Sequence, residues 1–480
     1  MSLADQIRVA AEEERQRFGV PGCAVVVIKD GELVLSEGFG SRDVDRGLPV
    51  TSATLFAIGS ATKTFTAALI GSLVDEGVLD LDAPVRTYLP GFRMHDPVAT
   101  EQLTLRDCLA HRSGLPRHDI LWYAGAGHLD RDDLIRALEF LPPSQPFRQV
   151  MQYNNLLYTL AGHLAGRLCG GSFEEAVTTR ILKPLSMDRT NFDVLVSQQD
   201  GDHSQPYLQP HGHEAAAQVG FASLDLVGPA GNINSCADDL VAWLQALLGV
   251  GDHPPLLSTS LLTELRTPMV PLNGIPENVV VQHVGYGLAQ IIEDHRGRRL
   301  THHGGNIDGF ASQVMTRVED GIGIAVLTNL GKSGLRDALP YVILDLIDGV
   351  APSGHGAYFK QRADDLAAQL YAAGERQLTE ALPYGPVRPF ADYVGTYRHG
   401  GYGEVVVALD GEQLTLRYLG LPPGVLVHRH LEVFVLVIGA GGAEQKVGAQ
   451  FTHDLEGAVR SLRLELEPAV DPIEFARLPS

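Results

Sequence analysis

Strand-like apolar runs stand at both ends of the first 350 residues, and helical patterns fill the space between them. That order predicts one antiparallel sheet built from both ends of the segment with a helical region inserted, an α+β architecture. At the near end a charged helix is expected over 3–18. Residues 23–28 follow as a continuous apolar strand, Lys29-Asp30-Gly31-Glu32 as a hairpin turn, and 33–39 as the returning strand. At the far end strands are expected at 284–292, 300–302, 311–318 and 323–329, with a turn at Glu319-Asp320-Gly321, and a helix over 335–348 closes this part. Between them lies a helix over about 60–76, with apolar Phe65, Ala68, Leu69 and Leu73 at helical spacing and Gly77 as its stop. Further helices are expected at 105–111, 131–141, 156–168, 173–182 and 237–248, and a long polar loop at 200–228.

The pattern changes after residue 350. Residues 351–385 read as a linker carrying one amphipathic helix, 359–371. From 386 to 480 strand-like segments recur at 404–409, 413–418, 425–429, 432–437, 447–452 and 461–466, with turns between them, as in a small antiparallel β-barrel. The expected organisation is a domain over 1–350, a linker over 351–385 and a barrel over 386–480.

Composition excludes several classes. Hydrophobic residues make up 45% and charged residues 20%, too apolar for a disordered chain. The net charge of −21 repels a phosphate backbone, and no basic patch interrupts it, so no nucleic-acid partner is expected. Cys23, Cys108, Cys169 and Cys236 are scattered without a C-x-x-C pair and read as reduced core residues. Residues 1–18 are charged throughout and lack the apolar stretch of a signal peptide, and no run of 18 apolar residues follows. The expectation is a soluble cytoplasmic protein with no membrane partner.

Three short motifs carry chemistry. Ser60-Ala61-Thr62-Lys63 opens a helix, where positions i and i+3 share a face, so the Lys63 amine can reach the Ser60 hydroxyl and serve as its base. With 21 serines and six lysines in the chain, chance supplies roughly 0.26 such matches. Alone, the motif reads as an N-cap serine beside a solvated lysine. Tyr153-Asn154-Asn155 precedes an apolar helix, and alone reads as an aromatic residue and a helix cap. Leu300-Thr301-His302-His303-Gly304-Gly305-Asn306 ends a strand-like run with paired glycines that let another backbone approach. His211-Gly212-His213-Glu214 lacks further ligands at a recognised spacing and reads as a solvated loop. There is no G-x-S-x-G and no H-E-x-x-H.

Together and in this order, Ser60/Lys63, Tyr153/Asn155 and His303-Gly304-Gly305 resemble the serine penicillin-recognising family: class C β-lactamases, D,D-peptidases, D-aminopeptidases and β-lactamase-fold esterases. Its order is S-x-x-K, then Y-x-N, then K-T-G or H-x-G. The flanks match as well: Leu79 to Val85, Leu103 to Pro116, Pro184 to Met187, Pro229-Ala230-Gly231 with Asp239-Leu240, and Gly304 to Phe310. Phe390 to Tyr397 and the strands after it resemble the lipocalin-like C-terminal domain of some members. The resemblance implies an antiparallel sheet flanked by helices plus a helical subdomain, followed by a lipocalin-like barrel.

It also implies roles. Ser60 is the acylated nucleophile, and Lys63 and Tyr153 share the proton traffic. Asn155 bonds Lys63 and a substrate amide, and the backbone N–H groups of Ser60 and Asn306 form the oxyanion hole. His303, with Gly304 and Gly305, stands where β-lactamases keep a lysine that binds the substrate carboxylate. An imidazole binds a carboxylate more weakly than an ammonium does, which points to a peptidase, D-aminopeptidase, amidase or esterase. Three readings follow: a serine hydrolase, an acyltransferase or peptide cyclase using an amine acceptor, and a non-catalytic penicillin-binding or scaffold module. Intact Ser60, Lys63 and Tyr153 argue against the last. The expected partner is a small-molecule or peptide substrate, with no cofactor and no metal. Trp122 and Tyr123 border the cleft in this family, as an apolar subsite or as core. The oligomeric state is left open.

Overall fold

The apolar run at 23–28 has no polar face, and a strand of that kind belongs in the middle of a covered sheet. The computed structural model, which describes residues 1–209, 215–272, 281–351, 353–376, 382–439 and 444–479, places it there. The sheet has eight strands: β1 (Gly22–Lys29), β2 (Glu32–Asp43), β3 (Leu48–Pro49), β4 (Val281–Tyr286), β5 (Ile291–His295), β6 (Arg298–Ile307), β7 (Phe310–Arg317) and β8 (Ile322–Thr328). Their order is β3-β2-β1-β8-β7-β6-β5-β4, so the two ends of the segment meet where β1 pairs antiparallel with β8, Cys23 opposite Thr328. Side chains alternate along a strand. In β1 Ala24, Val26 and Ile28 enter one core, and Cys23, Val25 and Val27 enter another on the opposite face.

Helices cover both faces. On one side lie α1 (Leu3–Arg17), α5 (Leu335–Asp348) and α6 (His355–Arg376); on the other, α4 (Ala237–Leu248) packs on β1 and β8. The helical region also holds α2 (Thr62–Asp75) and α3 (Asn155–Leu168), which pack on each other. Local chemistry sets their starts. Ser2 and Asp5 form a capping box on α1, and the Asn154 side chain accepts the Leu157 N–H to cap α3.

Several elements depart from the sequence expectation. The single strand expected at 284–292 is a hairpin, β4 and β5, turned at residues 287–290 by a Gly287 N–H to Gln290 carbonyl bond of 2.8 Å. Its turn residues Leu288 and Ala289 are apolar and buried, so the usual polar turn signal is missing. The helix expected at 173–182 passes from α-helix into a π-helical turn at Thr178–Leu182. The polar loop at 200–228 contains a short ribbon pairing Tyr207–Leu208 with Ala217–Gln218, while His211 to Glu214 lie outside the described residues.

The C-terminal strands close into an eight-stranded antiparallel barrel: β9 (Gly395–His399), β10 (Gly403–Asp410), β11 (Gln413–Tyr418), β12 (Gly424–His430), β13 (Val433–Ile438), β14 (Gln445–His453), β15 (Val459–Leu464) and β16 (Ile473–Arg477). The sequence pattern shows six of them. The first and last, which close the barrel through Tyr397 opposite Arg477, are short and turn-flanked. The barrel rests on the helical region. Gly400 and Gly401 lie against Phe140 and the Ala137 carbonyl, with no room for a Cβ at Gly400. The Gly420 N–H donates to the Ala124 carbonyl at 2.9 Å. His118 bridges the two parts: its N–H donates to Glu467 at 2.7 Å, and its Nδ1 lies 2.7 Å from the Tyr402 hydroxyl. All four cysteines are free, three of them buried, and no helix among the described residues is long and apolar enough to cross a membrane.

Candidate active site

Ser60 sits in a 3-10 turn, Gly59–Ala61, that runs directly into α2. Gly59 adopts φ +51°, a conformation that favours glycine, and its open face meets the Asn306 backbone, where a Cβ would stand 3.1 Å from the nitrogen. At Gly305 a Cβ would overlap the Ile58 carbonyl oxygen. Gly59 and Gly305 therefore let the end of β6 lie against the turn that carries the serine. From β7 the Ser312 hydroxyl donates to that same Ile58 carbonyl at 2.6 Å and pins the turn to the sheet.

Lys63, fully buried, is the second residue of α2, one turn after Ser60. Its Nζ is 3.0 Å from Ser60 Oγ, 2.9 Å from Asn155 Oδ1 and 2.8 Å from the Ala230 carbonyl oxygen. Asn155 opens α3, and its Nδ2 donates to Asp119 Oδ1 at 3.0 Å, which orients the amide oxygen toward Lys63. Asp119 also accepts from Trp122 Nε1 at 2.7 Å and from Arg117 Nε at 2.5 Å. Burial holds the Lys63 amine well below the usual lysine range. The Arg117 cation adds to that effect and Asp119 opposes it.

The Tyr153 ring lies against this group, 4.8 Å from Lys63 Nζ, 4.9 Å from the Arg117 guanidinium and 4.3 Å from the His111 ring. Burial pushes its hydroxyl up to about 12, against the pull of a hydrogen bond with Ser60 and the charge of Arg117. Buried His111 accepts the Asn154 N–H on Nδ1 at 3.1 Å, and burial keeps the ring neutral. The ring thereby supports Tyr153 from below.

His303 lies beside this group, its ring 6.3 Å from that of Tyr153. It is 3% exposed, with Nδ1 2.8 Å from the Gly304 carbonyl and Nε2 3.0 Å from the Tyr286 hydroxyl. A carbonyl only accepts, so Nδ1 carries the proton and Nε2 accepts from Tyr286. Burial and nearby Lys63 hold the ring neutral. Both nitrogens thus have partners within the protein.

Two cavities meet at Ser60. The larger, 690 Å³, is walled by Trp122, Tyr123, Phe221, Leu224 and Val227, and by Gly420, Leu421 and Pro422 of the barrel. The smaller, 270 Å³, has Arg117, Tyr153, His303, Gly304, Gln313 and Arg336 around it. Arg336 is held by the Gly305 carbonyl at 2.7 Å. The structure thus brings Ser60, Lys63, Tyr153, Asn155, His303, Gly304, Gly305 and Asn306 together, and sets Trp122 and Tyr123 in the apolar wall. Sequence reasoning missed Arg117, Asp119, Tyr286 and the Ala230 carbonyl. Arg117 and Asp119 left a faint signal, two charges just before an apolar helix.

Comparison with known proteins bears on the fold and the family. Residues 9–347 match the family model described as Beta-lactamase, and residues 380–477 match a domain of unknown function, DUF3471. The chain is 27% identical over 502 residues to the unguisins hydrolase ungD of Aspergillus violaceofuscus, covering 95% of this chain and 87% of the relative. Among solved structures, the octameric penicillin-binding protein homologue from Pyrococcus abyssi superposes with a TM-score of 0.64 at 24% identity, covering 98% of this chain and 99% of that one. The D-amino acid amidase from Ochrobactrum anthropi SV3 superposes with a TM-score of 0.58 at 23% identity, covering 72% and 99%. At such identities the two structures attest the fold, and the family match spans most of the chain: the protein belongs to the beta-lactamase family, whose members are generally serine hydrolases.

Proposed function

We propose that the protein is a serine hydrolase that opens an amide or ester bond through an acyl-enzyme on Ser60. The observation that carries this reading is the set of three contacts at Lys63 Nζ. Two of the partners, Asn155 Oδ1 and the Ala230 carbonyl, can only accept. A neutral amine has two N–H groups and one lone pair. It spends the two donors on those acceptors, and the lone pair then faces the Ser60 hydroxyl. Burial supplies the neutral state. Lys63 thus takes the serine proton as Oγ attacks the substrate carbonyl, and the Ser60 and Asn306 N–H groups receive the developing oxyanion. Tyr153, held protonated by its raised pKa, passes a proton to the departing amine or alkoxide. Water then attacks the ester by the reverse path.

The apolar 690 Å³ cavity suits a bulky apolar group on one side of the scissile bond, and the arginine-lined cavity suits a polar group on the other. The hydrolase and amidase among its relatives favour an amide. The free cysteines fit a reducing compartment, the cytoplasm.

The test is intact-mass spectrometry after treatment with a fluorophosphonate, alongside turnover of p-nitrophenyl esters and aminoacyl p-nitroanilides. Wild-type protein should gain one adduct and Ser60→Ala none, with turnover down by about a thousandfold or more. A variant that keeps more than about a tenth of the rate rejects the nucleophile. Product analysis with an added amine separates hydrolysis from acyl transfer.

A further inference from the structure

Away from the catalytic cleft, on the opposite side of the sheet, two histidines and an aspartate are buried together. His295 ends β5, Asp345 lies on α5 and His355 opens α6, at 0%, 2% and 2% exposure. One potential ligand atom from each lies within 4.8 Å of the others. The two imidazole rings stand 5.9 Å apart, and both pack on Tyr341. None of their four ring nitrogens has a hydrogen-bond partner among the described residues. An imidazole buried with both nitrogens unused is costly, and buried polar groups are normally satisfied. Phenylalanine would fill the same space without that cost.

We propose that His295, Asp345 and His355 bind a divalent transition-metal ion of the zinc class, which clasps the start of α6 to β5 and α5. Two imidazoles and one carboxylate make a nitrogen and oxygen ligand set that suits zinc. Asp345 is preset for it. Its Oδ2 accepts the Ser353 N–H at 2.9 Å and faces His355 Nε2 at 3.7 Å, while Oδ1 is held by Arg296 at 3.2 Å. Such second contacts orient a metal-binding carboxylate. Asp345, Ser353 and His355 also border a 490 Å³ surface cavity beside Glu14, which gives the ion an entry path and room for a water as a further ligand.

The test uses the full chain, stripped with a chelator and then given one equivalent of Zn²⁺ or Co²⁺. We expect about one zinc per chain by elemental mass spectrometry after gel filtration, a raised Tm, and visible Co²⁺ bands of low coordination number. His355→Ala and Asp345→Asn should weaken binding by about a hundredfold or more and abolish the Tm gain. Ser60→Ala should bind zinc like wild type, so the clasp stands or falls apart from the hydrolase reading. X-ray absorption on zinc-loaded wild type should show two imidazoles, a readout that needs no variant to fold. Uptake below about a tenth of an equivalent by wild type, as for a site that holds only water, overturns the proposal. So does full zinc retention by either ligand variant, or an absorption spectrum without imidazole.

Discussion

Lys63 is governed by two neighbours with opposite charges. Burial and Arg117 work against its proton, and Asp119 works for it. If Lys63 is the base, activity falls as pH drops through its lowered pKa, because the protonated amine has no lone pair. Removing Arg117 takes away a repelling cation and frees Asp119, so Arg117→Ala should raise the Lys63 pKa and move the acid limb of the kcat/KM profile to higher pH. Asp119→Asn should move it to lower pH. A pH profile with both limbs unmoved, or moved the other way, rules Lys63 out as the base. The same scale shows what was legible in the sequence. Ser60, Lys63, Tyr153 and Asn155 lie at fixed spacings on helix starts, where a motif determines geometry. His303 shares a motif too, but what its nitrogens bond depends on Tyr286, which reaches it from another strand.

Strand β6 reaches the nucleophile because Gly305 leaves that face of it bare. At Gly304 an added Cβ meets only the ends of Arg336 and Gln313, which can swing aside, whereas at Gly305 it meets the Ile58 carbonyl, which cannot. Gly305→Ala should cost about 1–3 kcal/mol of stability by overpacking and slow acylation at least about tenfold by displacing the oxyanion site. Gly304→Ala should cost less on both measures. Calorimetry and fluorophosphonate labelling rates check this, and a Gly305→Ala protein with wild-type melting and labelling would show that the close approach is dispensable. Strands and helices with clean periodicity, such as 335–348 and 237–248, stand where the pattern puts them. The β4–β5 hairpin was hidden because its turn is buried and apolar, and the closing strands β9 and β16 because a short barrel strand has too few alternations to stand out from its turns.

The whole molecule adds the barrel to the cleft. Its loop at Gly420, Leu421 and Pro422 forms one wall of the larger cavity, and the His118 bridge to Tyr402 and Glu467 holds it there. No strand periodicity encodes such a contact, since it joins loops some 300 residues apart in the chain. Leu421→Ala should lower kcat/KM for an octanoyl ester by about tenfold through lost apolar contact, and leave an acetyl ester nearly unchanged. Equal effects on the two esters, or none, would place the barrel outside the substrate's reach.

The meeting of β1 with β8 also sets a timetable for synthesis. A ribosome finishes Cys23 to Ile28 early, yet the partner strand follows only after roughly 300 more residues. Through that interval a fully apolar strand has one flank without its final neighbour, a state prone to mispairing and to aggregation. The hairpin with β2 is available at once and shields the other flank. Sheet closure during translation therefore waits on Thr328.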